Sequence, residues 1–148
     1  METISRHMGT DHKRCDDFFA QAETAVAATL WTNAELALNA FCEALEQHFA
    51  MEEQVLFPEF EEAVGSREGP TAVMRMEHRQ MREILADLND CIAKRDADGF
   101  LGYSETLNTL MQQHNMKEEG ILYPMTDRVL NGRQESIIGA MREVGIPS

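Results

Sequence analysis

Apolar residues along this chain recur at intervals of three and four, and nowhere in the strict alternation of a half-buried strand. That spacing predicts helices with one buried stripe each. Ala, Leu, Glu, Met and Gln dominate, and all are strong helix formers. Thr10 is placed to cap a first helix that runs to about Leu30. Thr32 or Asn33 caps a second, ending near Val64 and Gly65. Gly69 and Pro70 open a third, with Pro70 at the tolerated first-turn position, and it runs to about Arg95. Asp98 caps a fourth, which closes before Asn131 and Gly132. A short tail helix, about Gln134 to Val144, precedes Gly145, Ile146 and Pro147. Pro58 and Pro124 fall inside the second and fourth helices, so each is expected to bend its helix or set off a shorter last segment. The connections are short, which makes sequential helices antiparallel. The expected fold is all-α: an up-down-up-down antiparallel four-helix bundle with a short C-terminal helix, read as one domain over residues 1–148, the bundle itself about 10–130.

The stripes carry an anomaly. On helix one the seam is His12, Cys15, Phe19, Ala22, Val26; on helix three it is Met74, His78, Met81, Leu85, Leu88, Ile92. On helix two it is Leu38, Phe41, Leu45, His48, Glu52, Val55; on helix four it is Leu107, Met111, His114, Glu118, Ile121, Met125. Each is apolar except where it carries His, or His plus Glu. Four histidines and two glutamates are therefore aimed at the core.

An internal repeat organises them. An offset of 66 residues carries His12 onto His78, Asp11 onto Glu77, His48 onto His114, and Glu52-Glu53 onto Glu118-Glu119. The local strings QHFAMEEQVLFPEF and QHNMKEEGILYPMT agree as well, and of five histidines only His7 stands outside the relation. The chain reads as two helical hairpins about a pseudo-two-fold axis. From His12 to Leu30 is 18 residues, from Thr32 to His48 is 16, from His78 to Arg95 is 17, and from Asp98 to His114 is 16. At about 1.5 Å per residue these paths match to within one turn, so the four histidines meet in one layer. His48 and Glu52 are four apart and share a helix face, as do His114 and Glu118.

Composition narrows the partners. Hydrophobic residues make up 43% of the 148, enough for a real core. With 13 Lys and Arg against 26 Asp and Glu, the formal net charge is −13. This argues against nucleic acid and anionic membrane surfaces as partners. No apolar run is long enough to span a membrane, and the N-terminus lacks the apolar centre of a signal peptide, so the expected location is the cytoplasm. Cys15, Cys42 and Cys91 have no C-x-x-C spacing and read as free thiols, with Cys42 and Cys91 expected as small core residues.

A single histidine on an apolar face is usually a satisfied core residue. Four His and two Glu in one layer are another matter, because buried carboxylates without cations cost several kcal/mol each. No Lys or Arg occupies the stripes at that level. A pair of cations removes the conflict. Imidazole with carboxylate suits iron, and also zinc or manganese. Six ligands are too many for one tetrahedral zinc, and they suit two metals that share bridging carboxylates. The ferritin-like pattern is excluded, since no Glu-x-x-His occurs.

Asp-His near the start, two H-x-x-x-E sites each followed by L-F-P or L-Y-P, and Glu-His on the third helix together resemble the hemerythrin-like HHE cation-binding family. The resemblance covers about residues 10–130. It implies a non-heme, carboxylate-bridged di-iron centre, two irons per chain. His12, His48, His78 and His114 would be terminal ligands, and Glu52 and Glu118 the bridges. Glu53 and Glu119 are the rival carboxylates, because some family members place a ligand five residues after its His. Oxygen-carrying hemerythrins have H-x-x-x-H on the third helix; here Met74 and Arg82 stand four residues from His78. The four-His, two-Glu set is more similar to the family's iron-centre repair and nitric-oxide-response branch. That branch usually carries an additional N-terminal segment with cysteines.

Lesser candidates surround these. Cys15 lines the site or packs beside it. Tyr123 stands where the other half has Phe57, and packing is favoured over a redox or hydrogen-bonding role. Met81 and Met111 are expected in the core, Glu61 and Glu62 on solvated faces, and His7 at the surface or in a disordered end. The main functional reading is a di-iron protein that binds or reacts with dioxygen, nitric oxide or peroxide. As an enzyme it would be an oxidoreductase with an electron-transfer partner. The alternative is an iron-donating repair protein, or metal storage without turnover.

Overall fold

A computed structural model describes residues 2–144. Helix α1 spans Ile4–Ala27 and α2 spans Trp31–Ala50. A wide π-helical segment, Met51–Leu56, leads without a break into α3, Phe57–Val64. Helix α4 is Pro70–Lys94 and α5 is Ala97–Lys117. A second π-helical segment, Glu118–Leu122, runs into α6, Tyr123–Val129, and α7 closes the described chain at Gln134–Glu143. The α1–α2 and α4–α5 hairpins pack together as a helical bundle, and α7 lies across its open end against α1 and the first π segment. The Gly145–Pro147 stop expected after the tail helix lies outside the described residues. Among the described residues no helix is long and apolar enough to cross a membrane.

Several helix starts differ from the expected ones, each for a local reason. Helix α1 begins at Ile4 and is capped not by Thr10 but by Thr3, seven residues earlier, whose hydroxyl accepts from the Arg6 N–H at 3.0 Å. Ile4 and Met8 continue the His12 stripe backwards and are fully buried beneath α7, so the longer helix hides more apolar surface. Helix α2 starts at Trp31 with no side-chain cap; neither Thr32 nor Asn33 serves, because the Leu30 carbonyl already takes the Ala34 N–H at 2.8 Å. Helix α5 is capped by Asp96 and not Asp98, with the Gly99 N–H donating to its carboxylate at 2.9 Å. The expected stop at Gly65 holds: its φ of 75° is the left-handed conformation that glycine supplies at a helix end.

The prolines act through the π segments. Pro58 and Pro124 each sit at the start of the short helix that follows one. A π turn holds an extra residue, so the buried stripe slips by one position after it. Leu56 is buried where Val55 was expected, and Leu122 and Tyr123 are buried while Ile121 is 60% exposed. Before the π segments every expected stripe position is buried. Other placements also shift. Glu61 is buried, accepting from the Thr71 hydroxyl at 2.6 Å and from Arg75 at 3.1 Å, and so ties α3 to α4; Glu62 is exposed as expected. His7 is partly buried within α1, its Nδ1 3.1 Å from Glu2. All three cysteines are free, Cys15 and Cys91 buried and Cys42 half-buried.

Two apolar clusters make up the core. One lies toward the hairpin turns, built from residues such as Phe19, Phe41, Phe49, Met81, Leu88 and Met111. The other gathers Ile4, Met8, Leu56, Phe57, Leu122, Ile138 and Met141 under α7. The histidines and glutamates lie in a polar layer between them.

Candidate metal centre

His12, His48, His78 and His114 come from α1, α2, α4 and α5, one from each long helix, and all four are buried. Glu52 and Glu118 follow one turn after His48 and His114, inside the π segments, and are fully buried. The six side chains aimed at the core by their stripe positions therefore meet in one place. The imidazoles fall into two pairs. The rings of His12 and His48 are 4.6 Å apart, and those of His78 and His114 are 5.0 Å apart.

Each imidazole is held from outside. The Nδ1–H groups donate to Glu119 from His12 at 2.7 Å, to Asp11 from His48 at 2.7 Å, to Glu53 from His78 at 2.6 Å, and to Glu77 from His114 at 2.8 Å. These four bonds obey the 66-residue offset in pairs, Asp11 with Glu77 and Glu53 with Glu119. Glu53 and Glu119 are thus brought to the outer nitrogens of the facing hairpin's histidines, while Glu52 and Glu118 occupy the centre. Three of the outer carboxylates are backed by a cation: Asp11 by Arg14, Glu53 by Arg82 and Glu77 by Lys117. Despite their burial, His48 with Arg14 and His78 with Arg82 hold Asp11 and Glu53 down to about 2. With the outer nitrogens committed, every Nε2 faces inward, the arrangement that a metal-binding imidazole requires.

The inner contacts cross between pairs. Glu118 places one oxygen 3.0 Å from His12 Nε2 and the other 3.3 Å from His114 Nε2. Glu52 Oε1 lies 3.1 Å from His78 Nε2 and 3.5 Å from His48 Nε2. Each glutamate therefore touches a histidine of both pairs. Among the described residues, Glu52 Oε1, His78 Nε2, His114 Nε2 and Glu118 Oε2 are buried without a hydrogen-bond partner. Such orphaned atoms are uncommon in native proteins and demand a partner. Four converging from two helical hairpins, as two nitrogens and two carboxylate oxygens, fit a cation of the borderline kind that imidazole and carboxylate share. Glu52, His78, His114 and Glu118 can present ligand atoms within 4.8 Å of one another, and so can His12, His48 and Glu118.

The electrostatics of the layer are set by the two inner carboxylates and the imidazoles around them. Burial pushes the Glu52 carboxyl up, and the charge of Glu118 adds to it. Burial would also raise Glu118, but bonds and charges from Glu52, His114 and His12 hold it well below the usual range. Burial lowers the imidazoles of His12 and His114, yet the two carboxylates outweigh it and bring both up to about 9.

One residue has a larger part than its sequence position suggested. Tyr123 is fully buried, and its hydroxyl lies 2.7 Å from Glu52 Oε2 and 2.9 Å from Glu118 Oε1. It also stands 3.3 Å from His12 Nε2 and 3.4 Å from His48 Nε2. Burial and the charges of Glu118 and Glu52 push its pKa well above the usual phenol value, so it stays a hydrogen-bond donor. Hydrogen bonding, and not packing alone, is its role. The signal was its exchange for Phe57 across the repeat. Cys15 packs with Phe19 in the apolar cluster, and Met81 and Met111 are core as expected.

Comparison with known proteins agrees with this geometry. The family model described as Hemerythrin HHE cation binding domain matches residues 3–126. An iron-sulfur cluster repair protein YtfE from Edwardsiella ictaluri (strain 93-146) is 32% identical over 99 residues, covering 59% of this chain and 43% of that protein. Its counterpart from Yersinia pseudotuberculosis serotype IB (strain PB1/+) is 32% identical over 105 residues, covering 64% of this chain and 46% of that protein. The chain spans less than half the length of these curated relatives. No solved structure matches significantly.

Proposed function

Because the chain belongs to the hemerythrin HHE cation-binding domain family, we propose that it holds two iron ions in its buried His–Glu layer and handles that iron in the repair of iron–sulfur centres. His12 and His48 would hold one ion and His78 and His114 the other, with Glu52 and Glu118 as the carboxylates available to both. Residues 1–148 work as one domain. The observation that carries the metal reading is the set of four converging, partnerless atoms on Glu52, His78, His114 and Glu118. Bound there, iron would supply redox chemistry and positions open to a small ligand such as dioxygen, nitric oxide or peroxide.

The chain's own residues prepare the site. Asp11, Glu53, Glu77 and Glu119 orient the imidazoles through Nδ1. Phe49 stacks on His78 with ring centres 3.9 Å apart, and Phe57 stacks beyond it, which keeps water from that side. Carriage of oxygen at a five-histidine site is disfavoured by the neighbours of His78. Met74 is buried in the apolar cluster under α7, and Arg82 is engaged by Glu46 and Glu53. The repair role draws on the two curated relatives, whose names give it.

Metal analysis of protein from iron-replete cells tests the first half, with two irons per chain expected. For the second, the iron-loaded protein is mixed anaerobically with an iron–sulfur protein whose cluster has been oxidatively damaged. Recovery of the cluster's visible absorption, with matching loss of iron from this chain, is the expected result. One metal or none per chain overturns the dinuclear reading. Iron retained throughout, together with reversible dioxygen binding, overturns the repair reading in favour of a carrier.

A further inference from the structure

The 66-residue repeat makes the two hairpins nearly equivalent, yet the polar layer they enclose is not symmetric. Across the repeat, Tyr123 corresponds to Phe57. The phenyl ring of Phe57 only stacks near His78. The phenol of Tyr123 reaches into the layer, where its one O–H donates to Glu52 Oε2 at 2.7 Å and its oxygen stands 2.9 Å from Glu118 Oε1. It does so beside the inner nitrogens of His12 and His48, and not those of the other pair. The result is visible in the ligand atoms on offer. Glu52, His78, His114 and Glu118 bring ligand atoms within 4.8 Å of one another, whereas His12 and His48 do so with Glu118, and Glu52 Oε1 stands nearer to His78 Nε2, at 3.1 Å, than to His48 Nε2, at 3.5 Å. All four orphaned ligand atoms belong to the first pocket and its carboxylates, and none to His12 or His48.

A second difference falls on the same side. Arg14, Arg82 and Lys117 back three of the four outer carboxylates. Glu119, which holds His12, has no Lys or Arg partner among the described residues and its side chain is 51% exposed. A carboxylate that is half in water and unpaired fixes an imidazole less firmly than one clamped by a guanidinium. His12 is also the most exposed of the four histidines, at 5%.

We propose that Tyr123 makes the two halves of the centre unequal: the His78–His114 pocket takes metal first and tightly, and the His12–His48 pocket takes it second and gives it up first. Tyr123 is here a positioning residue. While its hydroxyl occupies Glu52 Oε2 and crowds His12 and His48, a cation entering that pocket must displace a charge-assisted hydrogen bond. A cation entering the other pocket meets four atoms that make no hydrogen bond, and has only the Glu52–His78 and Glu118–His114 contacts, at 3.1 and 3.3 Å, to replace. The inference rests on the dinuclear reading above and adds to it an order of filling and the residue that sets the order. For a protein that hands on iron, the His12–His48 pocket is then the exchangeable position.

The test is an anaerobic titration of the metal-free chain with Fe(II), followed by calorimetry, and repeated with Co(II), whose visible bands report each site. The wild type is expected to show two steps separated by about tenfold or more, the worth of a hydrogen bond to a charged group. Tyr123→Phe restores the residue of the other half. It should tighten the second step until the two merge, and leave the first unchanged. His48→Ala should abolish the second step alone, and His114→Ala the first, which keeps the assignment open to refutation if Tyr123→Phe folds poorly. Two equal steps in the wild type, or an unchanged gap in a folded Tyr123→Phe, overturn the inference while leaving the dinuclear reading intact. A single metal in every variant overturns both. A single metal in the wild type overturns the dinuclear reading and the filling order with it, even where Tyr123→Phe takes two.

Discussion

Glu53 and Glu119 follow Glu52 and Glu118 by one residue, and that one residue separates two kinds of work. The inner pair sits with no exposure at the centre, and the outer pair holds Nδ1 of His78 and His12. Removing an inner carboxylate should remove the metal; removing an outer one should let an imidazole swing. Glu118→Ala is therefore expected to release metal from both pockets, because Glu118 offers a ligand atom to each. Glu53→Gln should retain metal but weaken its binding by about 10–100-fold. Iron content after gel filtration, and chelator competition, check the ranking; the reverse order would make the five-residue spacing the ligand spacing. The six inner residues were legible because His and Glu interrupt otherwise apolar stripes and repeat at a fixed offset. The outer ring was half legible: Asp11 and Glu77 stood out beside His12 and His78, but they hold His48 and His114 instead. Which histidine each carboxylate reaches depends on how adjacent helices are set against one another, and no local spacing carries that.

At the scale of elements, the π segments explain most of what the stripes got wrong. Each begins just past a histidine and inserts a residue before a proline, so the α-helical phase is right up to His48 and His114 and one residue late beyond Glu52 and Glu118. That slip hid Tyr123, which lies off the expected seam yet is fully buried. It also exchanges Ile121 for Leu122 in the core. The start of α1 was misplaced because a good capping residue, Thr10, competes with burial of Ile4 and Met8, and burial wins. The tail helix α7 completes that burial. Ile138 is nearly inaccessible in the cluster that includes Ile4, Met8, Leu56 and Tyr123. Ile138→Ala should cost about 2–4 kcal/mol, read as a lowered denaturant midpoint at unchanged slope. A loss below about 0.5 kcal/mol, the size of an ordinary surface change, would mean that α7 is not a structural part of the bundle.

For the whole molecule, the polar layer interrupts a core that is otherwise apolar on both sides. Without a cation it keeps two carboxylates together in a buried space, and Glu52 is pushed toward its neutral form by burial and by its neighbour. Metal that binds the folded chain and not the unfolded one raises apparent stability in proportion to the logarithm of its concentration. Thermal melts of the metal-free and Fe(II)-loaded chain should differ by several degrees and converge on adding a strong chelator; identical midpoints would contradict a core metal site. The bundle, its hairpin pairing and the height of the layer were all legible, because helix lengths and a repeat are properties of the chain alone.

The outer bonds have an evolutionary corollary. His12 of one hairpin is held by Glu119 of the other, and His78 by Glu53 in return. Neither hairpin completes its own ring of anchors, but two identical copies docked about a two-fold axis would complete each other's. Such a pair of separate copies is bound by its symmetry: whatever stands at position 57 in one must stand at the matching position in its twin. Joining them into one chain lifts that constraint. Only after fusion can one pocket keep a bare phenyl ring while the other gains a hydroxyl, and the difference between Phe57 and Tyr123 is a liberty that a single covalent chain has and a homodimer does not.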